Sequence, residues 1–148
     1  MNLAFKFKYR FFNAFRELFV HHHGSLEFRA KVFALLIAAN EKASIESFII
    51  VKEIGLEIYN HDEDRANLLM LTTREIVQKI ENDHSLDVDR LVTNIQQELR
   101  IVPRYASKID IKALKSLTLL SRDEDTIHYQ ERMLEFLSNL KQEHTEKN

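Results

Sequence analysis

The sequence contains no cysteine, one proline and two glycines among its 148 residues. Without cysteine there are no disulfide bonds, no thiolate metal ligands and no cysteine nucleophile. The scarcity of proline and glycine leaves few points at which a helix has to end, which predicts long helices. The longest apolar runs, such as residues 32–39, are far shorter than the ~20 residues that span a bilayer. We therefore expect a soluble chain.

The length and composition fit one domain. A chain of 148 residues with 45% apolar content is large enough to bury about 70% of the surface that its unfolded form exposes. The formal net charge of −2 is not the strongly basic balance of a nucleic-acid-binding protein, so no nucleic-acid partner is predicted.

The hydrophobic pattern has a helical period throughout and predicts an all-α, single-domain bundle of six to seven helices with an internal pseudo-repeat of helix pairs. The two copies span residues 28–54 and 109–137, around polar breaks at 40–44 and 122–126. The predicted helices cover residues 1–20, 25–39, 44–59, 60–80, 85–102, 107–121 and 127–141. The helical domain spans residues 25–143, followed by a frayed tail at 144–148. Expected helix ends are the caps Ser44, Asn60, Ser85, Ser107 and Asp110, the terminator Pro103, and Gly24 in a left-handed conformation.

The first twenty residues carry four basic side chains and one acidic side chain, Glu17, together with six of the ten phenylalanines. At about 100° per residue, Phe7, Phe11, Phe12, Phe15 and Phe19 lie on one face of a helix, and Lys6, Arg10 and Arg16 fall opposite. The predicted interaction surface consists of Phe7, Phe11, Phe12, Phe15, Phe19, Lys6, Arg10 and Arg16.

Three interpretations of this amphipathic helix stay open. It packs on its own bundle or a second copy of the chain, it docks on a different protein, or it lies at an anionic membrane surface. We favour packing or self-association, because an aromatic stripe with helical spacing more often belongs to a protein interior. The expected location is the cytoplasm, with peripheral contact at the inner face of the membrane as the alternative.

The second polar break, Leu119-Leu120-Ser121-Arg122-Asp123-Glu124-Asp125-Thr126-Ile127-His128-Tyr129-Gln130-Glu131-Arg132, resembles the repeat of the TerB-like tellurite-resistance family. Glu124 takes the acidic position of that repeat, Asp125 the glycine, Ile127 the apolar anchor, His128 the cap, and Glu131-Arg132 the helix opening. The first break departs further: Asn40 replaces the acid, Glu41 the glycine and Ser47 the glutamate, while Ser44 keeps the cap. The resemblance covers residues 26–141.

The resemblance implies a bacterial, non-enzymatic helical module of stress-response and envelope-associated assemblies, which sometimes hold divalent cations at these breaks. Glu124 and Glu131, seven residues apart, could converge with Asp123 and Asp125 on a hard cation, which favours six or more oxygen ligands. The competing interpretation, which we favour, is that these acids cap the last helix and interact with its dipole. No cofactor and no catalytic residue is predicted.

A different class of function is a metal-dependent phosphohydrolase centred on His61-Asp62. Such an enzyme holds two ions with dispersed histidines and aspartates and activates a water molecule. His21, His84 and His128 are the distant candidates for further ligands. The two functions are distinguished by whether His61 and Asp62 lie in a concave pocket with further ligands or at an exposed helix start.

Overall fold

The computed structural model describes residues 24–38, 43–82 and 86–146. In these ranges the chain forms six α-helices and one 3₁₀ helix, without any strand. They are α1 (Gly24–Ile37), α2 (Ile45–Ile58), α3 (Glu63–Glu81), α4 (Val88–Ile101), the 3₁₀ helix (Pro103–Lys108), α5 (Ile111–Thr118) and α6 (Glu124–Glu146). The all-α bundle is confirmed. The helix predicted over residues 1–20 lies outside the described ranges.

Helix α1 forms the centre of the bundle. Nine of its fourteen residues are buried, and it contacts α3, α4, the 3₁₀ helix, α5 and α6. A helix that is apolar on nearly all sides is stable in water only when other elements surround it. Four of its large side chains are at most 2% exposed: Phe28, Val32, Leu35 and Leu36.

Polar contacts hold α1 to its neighbours at its middle and near its C-terminus. Lys31 forms an ion pair with Glu98 of α4, and both side chains are largely buried. Near its C-terminus, the carbonyl oxygen of Leu36 accepts a hydrogen bond from Nε2 of Gln130 at 3.3 Å. The last carbonyls of a helix have no partner within the helix, so α6 provides hydrogen bonds at the end of α1.

Helices α2 and α3 form an antiparallel pair. The amide of Ala43, just before α2, donates to Oε1 of Glu81 at the end of α3 at 2.9 Å. Further along the pair, a Cβ atom on Gly55 would lie 3.0 Å from Cα of Ala66 and 3.2 Å from its Cβ. The missing side chain of Gly55 lets the two backbones approach closely at this crossing.

The two predicted helix pairs share a sequence pattern but differ in size and packing. Helices α1 and α2 have 14 residues each, whereas α5 has 8 and α6 has 23. Helix α6 packs on α5 and on the 3₁₀ helix, whereas α3 is the main neighbour of both α1 and α2.

The sequence identifies several helix ends correctly. Ser44 caps α2, and its Oγ accepts the amide N–H of Ser47 at 3.3 Å. Of the predicted capping pair Ser107 and Asp110, Asp110 is the cap of α5, accepting from the amide of Ala113 at 3.1 Å, so this helix begins at Ile111 and not at Ser107. Helix α4 ends at Ile101, and Pro103 begins the 3₁₀ helix, which the sequence analysis did not predict.

Other predicted caps are corrected by the structure. Asp62, not Asn60, caps α3 by accepting the amide N–H of Arg65 at 3.2 Å, because Asn60 lies in a left-handed turn with φ of 53°. The start of α4 moves from Ser85 to Asp87, whose Oδ1 accepts from the amide of Arg90 at 2.7 Å. Ser107 lies within the 3₁₀ helix, and α5 ends at Thr118 rather than near residue 121.

Two further corrections concern the ends of the described chain. Gly24 is not a left-handed terminator; it is the first residue of α1, with no positive φ. It contacts the 3₁₀ helix, since a Cβ there would lie 2.7 Å from Oη of Tyr105. The prediction of a frayed tail from residue 144 is also wrong at its start, because α6 continues to Glu146. His144 is only 6% exposed, and its Nδ1 lies 3.0 Å from the carbonyl oxygen of Leu140.

In the described ranges, no helix has both the length and the apolar character needed to cross a membrane.

The close crossing of α2 and α3 predicts the effect of adding volume at Gly55. Gly55→Val should destabilise the protein by about 1–3 kcal/mol, because the added carbons would press on the backbone of Ala66. Chemical denaturation monitored by circular dichroism measures this difference. Leu56→Val, on the neighbouring partly exposed position, is the control for valine in this helix. Equal stability of Gly55→Val and wild type would show that the helices do not cross this closely.

Candidate functional site

The acidic break between α5 and α6 is organised as a helix cap. Oδ2 of Asp123 accepts hydrogen bonds from the amide of Thr126 at 3.0 Å and from its hydroxyl at 2.8 Å. Thr126 itself is 2% exposed. Asp123 therefore satisfies an amide at the start of α6 that would otherwise have no partner, while Glu124 and Asp125 lie in the first turn, where negative charge is favourable.

The structure does not bring the four predicted metal ligands together as one group. Glu131 lies seven residues after Glu124 in one continuous helix, which separates them by about 10 Å along the axis. The nearest ion-pair partner of Glu131 is His128, with Nδ1 to Oε2 at 3.8 Å and both side chains more than half exposed. Asp123 and Asp125 lie within the described ranges. In these ranges no group of three or more histidine, aspartate or glutamate side chains is arranged to hold a metal.

His128 is also not a cap. Because α6 begins at Glu124, His128 lies in its second turn, on the exposed side. The predicted start of this helix, at Ile127, was therefore one turn too late. The sequence contains the correct signal in Asp123, whose spacing of three residues to Thr126 matches an N-cap.

His61 and Asp62 lie in the turn between α2 and α3, and both are exposed. His61 has a left-handed backbone with φ of 64°, and Asp62 caps α3 as described above. Of the distant histidines, His128 lies on a different helix, and His21 and His84 are outside the described residues. His61 and Asp62 thus lie at an exposed helix start and not in the concave pocket that the phosphohydrolase hypothesis requires.

Two partly buried tyrosines have perturbed acidity. Burial raises the pKa of Tyr59, an effect that the charges of Arg29 and Arg65 partly oppose. The guanidinium of Arg65 lies 5.8 Å from the centre of the Tyr59 ring. Burial likewise raises the pKa of Tyr129, and the negative charge of Asp89 adds to that effect. Both phenols are neutral at neutral pH and serve packing.

The outer face of α2 exposes two large apolar side chains. Ile45 is 79% exposed and Ile49 is 49% exposed, and residues four apart are neighbours on a helix surface. Three exposed glutamates share this helix: Glu46, Glu53 and Glu57. The sequence analysis did not identify this face, because the run of isoleucines hides which of them point outward.

A second surface missed by the sequence analysis runs from the end of α4 through the 3₁₀ helix into α5. Residues 100–115 contain five basic side chains and one acidic side chain, Asp110. Four of the basic residues are exposed and Lys108 is partly exposed. The spacing of three to four residues was visible in the sequence as Arg100, Arg104, Lys108, Lys112 and Lys115.

Comparison with known proteins adds no assignment, since no family model, curated protein or solved structure matches this chain. The resemblance to the TerB-like repeat rests on the residues quoted above and stays a prediction. The predicted interaction residues Phe7, Phe11, Phe12, Phe15, Phe19, Lys6, Arg10 and Arg16 lie outside the described ranges.

The capping role of Asp123 can be separated from a metal role. Asp123→Ala should cost about 1 kcal/mol because the amide of Thr126 loses its acceptor. Asp123→Asn should retain nearly all the stability, since the asparagine carbonyl accepts the same bond. Neither difference in stability from the wild type should depend on calcium. Thermal melting of each variant in the presence of calcium and of a chelator measures this. A calcium-dependent rise in the melting temperature of the wild type that disappears in Glu131→Gln would contradict the capping account.

Proposed function

We propose that this chain is a non-enzymatic helical interaction module that associates with a second copy of itself through residues 1–20. The segment would lie on the outer face of α2 in the second copy. In this proposal the bundle serves as a scaffold, and the TerB-like resemblance suggests a bacterial stress-response or envelope setting. The observation that carries the proposal is the pair of exposed isoleucines on α2.

The apolar part of the α2 face favours an apolar partner. Ile45 and Ile49 both expose about half or more of their surface, while the opposite side of α2 packs on α3 through Val51, Ile54 and Gly55. Covering an exposed isoleucine stabilises an assembly by about 1.5–3 kcal/mol when its burial is complete. The phenylalanines of residues 1–20 provide a matching apolar surface.

The charges of the two surfaces are complementary. Three exposed glutamates lie on the same helix as these isoleucines, while residues 1–20 carry four basic side chains and only one acidic side chain. Opposite charges around an apolar contact favour one orientation and accelerate association. If each copy donates its segment to the other, the assembly is a closed two-fold dimer, the commonest symmetry of homo-oligomers.

Paired substitutions test the proposal. Phe11→Asp and Ile49→Asp, made separately in the full chain, should each weaken the dimer at least about tenfold, because each places a carboxylate in the apolar contact. Asn13→Asp is the control for Phe11→Asp on the opposite face of the helix that the sequence predicts for residues 1–20, and Ile101→Asp is the control for an exposed isoleucine elsewhere. Light scattering across a dilution series measures the dissociation constant.

Three results would contradict the proposed contact between residues 1–20 and α2 of a second copy. One is a monomeric wild-type chain at all concentrations. Another is a monomer whose melting temperature falls in Phe11→Asp, which would place residues 1–20 on their own bundle. The third is equal weakening by the control substitutions, which would attribute the effect to added negative charge alone.

A further inference from the structure

Like residues 1–20, the stretch from residue 100 to residue 115, which we term the basic face, has more basic than acidic side chains. Its five basic side chains and one aspartate give it a net charge of +4. Since the whole chain carries −2, the remainder carries −6. Such a separation creates a local positive potential that the overall charge conceals.

The positive charges of the basic face are available to a partner. None of the five basic side chains forms an ion pair with any residue that the structure describes. The carboxylate of Asp110 is oriented toward the backbone, where Oδ1 accepts the amide of Ala113 at 3.1 Å. The guanidinium of Arg104 lies 5.5 Å from the centre of the Tyr105 ring, so an aromatic surface supports its position.

An apolar side chain lies next to these charges. Ile101 follows Arg100 directly and is 79% exposed, although it ends a helix whose residues Leu91, Ile95 and Leu99 are buried. Leaving an isoleucine in water has no benefit for the fold of this helix end. Basic residues that flank an exposed aliphatic side chain are the combination that binds the surface of an anionic bilayer.

We propose that the basic face binds the surface of a membrane containing anionic lipids, with Ile101 entering the headgroup boundary. A nucleic acid is less favoured, since it has no apolar layer to accept the side chain of Ile101. This proposal is independent of the self-association through residues 1–20.

The test uses the full chain and vesicles of phosphatidylcholine with a quarter phosphatidylglycerol. The wild type should co-sediment with these vesicles and not with pure phosphatidylcholine. Arg100→Glu combined with Lys112→Glu should weaken binding at least about tenfold. The control is Arg74→Glu combined with Arg90→Glu, which changes the net charge equally at exposed positions outside the basic face and should bind nearly as the wild type does.

A second comparison identifies the partner as lipid. Ile101→Gln should weaken vesicle binding several-fold and leave unchanged any binding to double-stranded DNA or polyglutamate, which have no apolar layer to accept the side chain. Thermal melting of each variant confirms that it is folded. The proposal is overturned if the wild type ignores anionic vesicles or if both charge-reversed pairs lose binding equally. It is also overturned if DNA or polyglutamate binds more tightly than the vesicles. A further contradicting result is that only Phe11→Asp reduces vesicle binding, because this would assign the membrane contact to residues 1–20.

Discussion

The burial of α1 is the constraint on which the rest of the fold depends. Nine of its fourteen side chains are buried, and five other elements contact it. Burying a large aliphatic or aromatic side chain stabilises the folded state by about 1.5–3 kcal/mol, so the arrangement of the other helices follows from the need to cover this one. Two of its polar groups also have partners on other helices: Lys31 forms an ion pair with Glu98, and the carbonyl oxygen of Leu36 accepts a hydrogen bond from Gln130.

The covering of α1 leaves two surfaces with different characters. Helix α2 packs on α3 through Gly55 and turns an acidic, partly apolar face outward, with Ile45 and Ile49 exposed. The basic face runs along residues 100–115 and exposes Ile101. We propose that the first surface binds the basic and aromatic segment of a second copy and that the second binds anionic lipid. In our account, both functions belong to surfaces outside the core.

The sequence determines the fold class and the helix ends where one strong local rule acts. Ser44 is a capping residue placed three positions before an amide that needs an acceptor, and Pro103 cannot continue a helix. These two assignments hold, and of the predicted capping pair Ser107 and Asp110 only Asp110 caps the helix. The burial of α1 can also be predicted from the sequence, because its apolar positions are nearly continuous.

Other features depend on contacts between distant residues, which local rules do not contain. Asn60 and Asp62 are both good caps, and only the left-handed turn at Asn60 and His61 selects the second. Gly24 looks like a helix end in the sequence, but its small size serves the contact with Tyr105, about eighty residues away in the chain. The acidic break suggested converging carboxylates, whereas the continuous helix after Asp123 keeps Glu124 and Glu131 two turns apart.

Native-state hydrogen exchange of the α1 backbone amides tests the central role of this helix most directly. If α1 is the centre of the bundle, the amides of Phe33 and Leu36 should exchange only through global unfolding, with a free energy equal to that from denaturant unfolding. The amides of α2 should exchange through smaller openings, because this helix has one exposed face. Exchange of the α1 amides at a lower free energy than those of α3 or α6 would contradict the account.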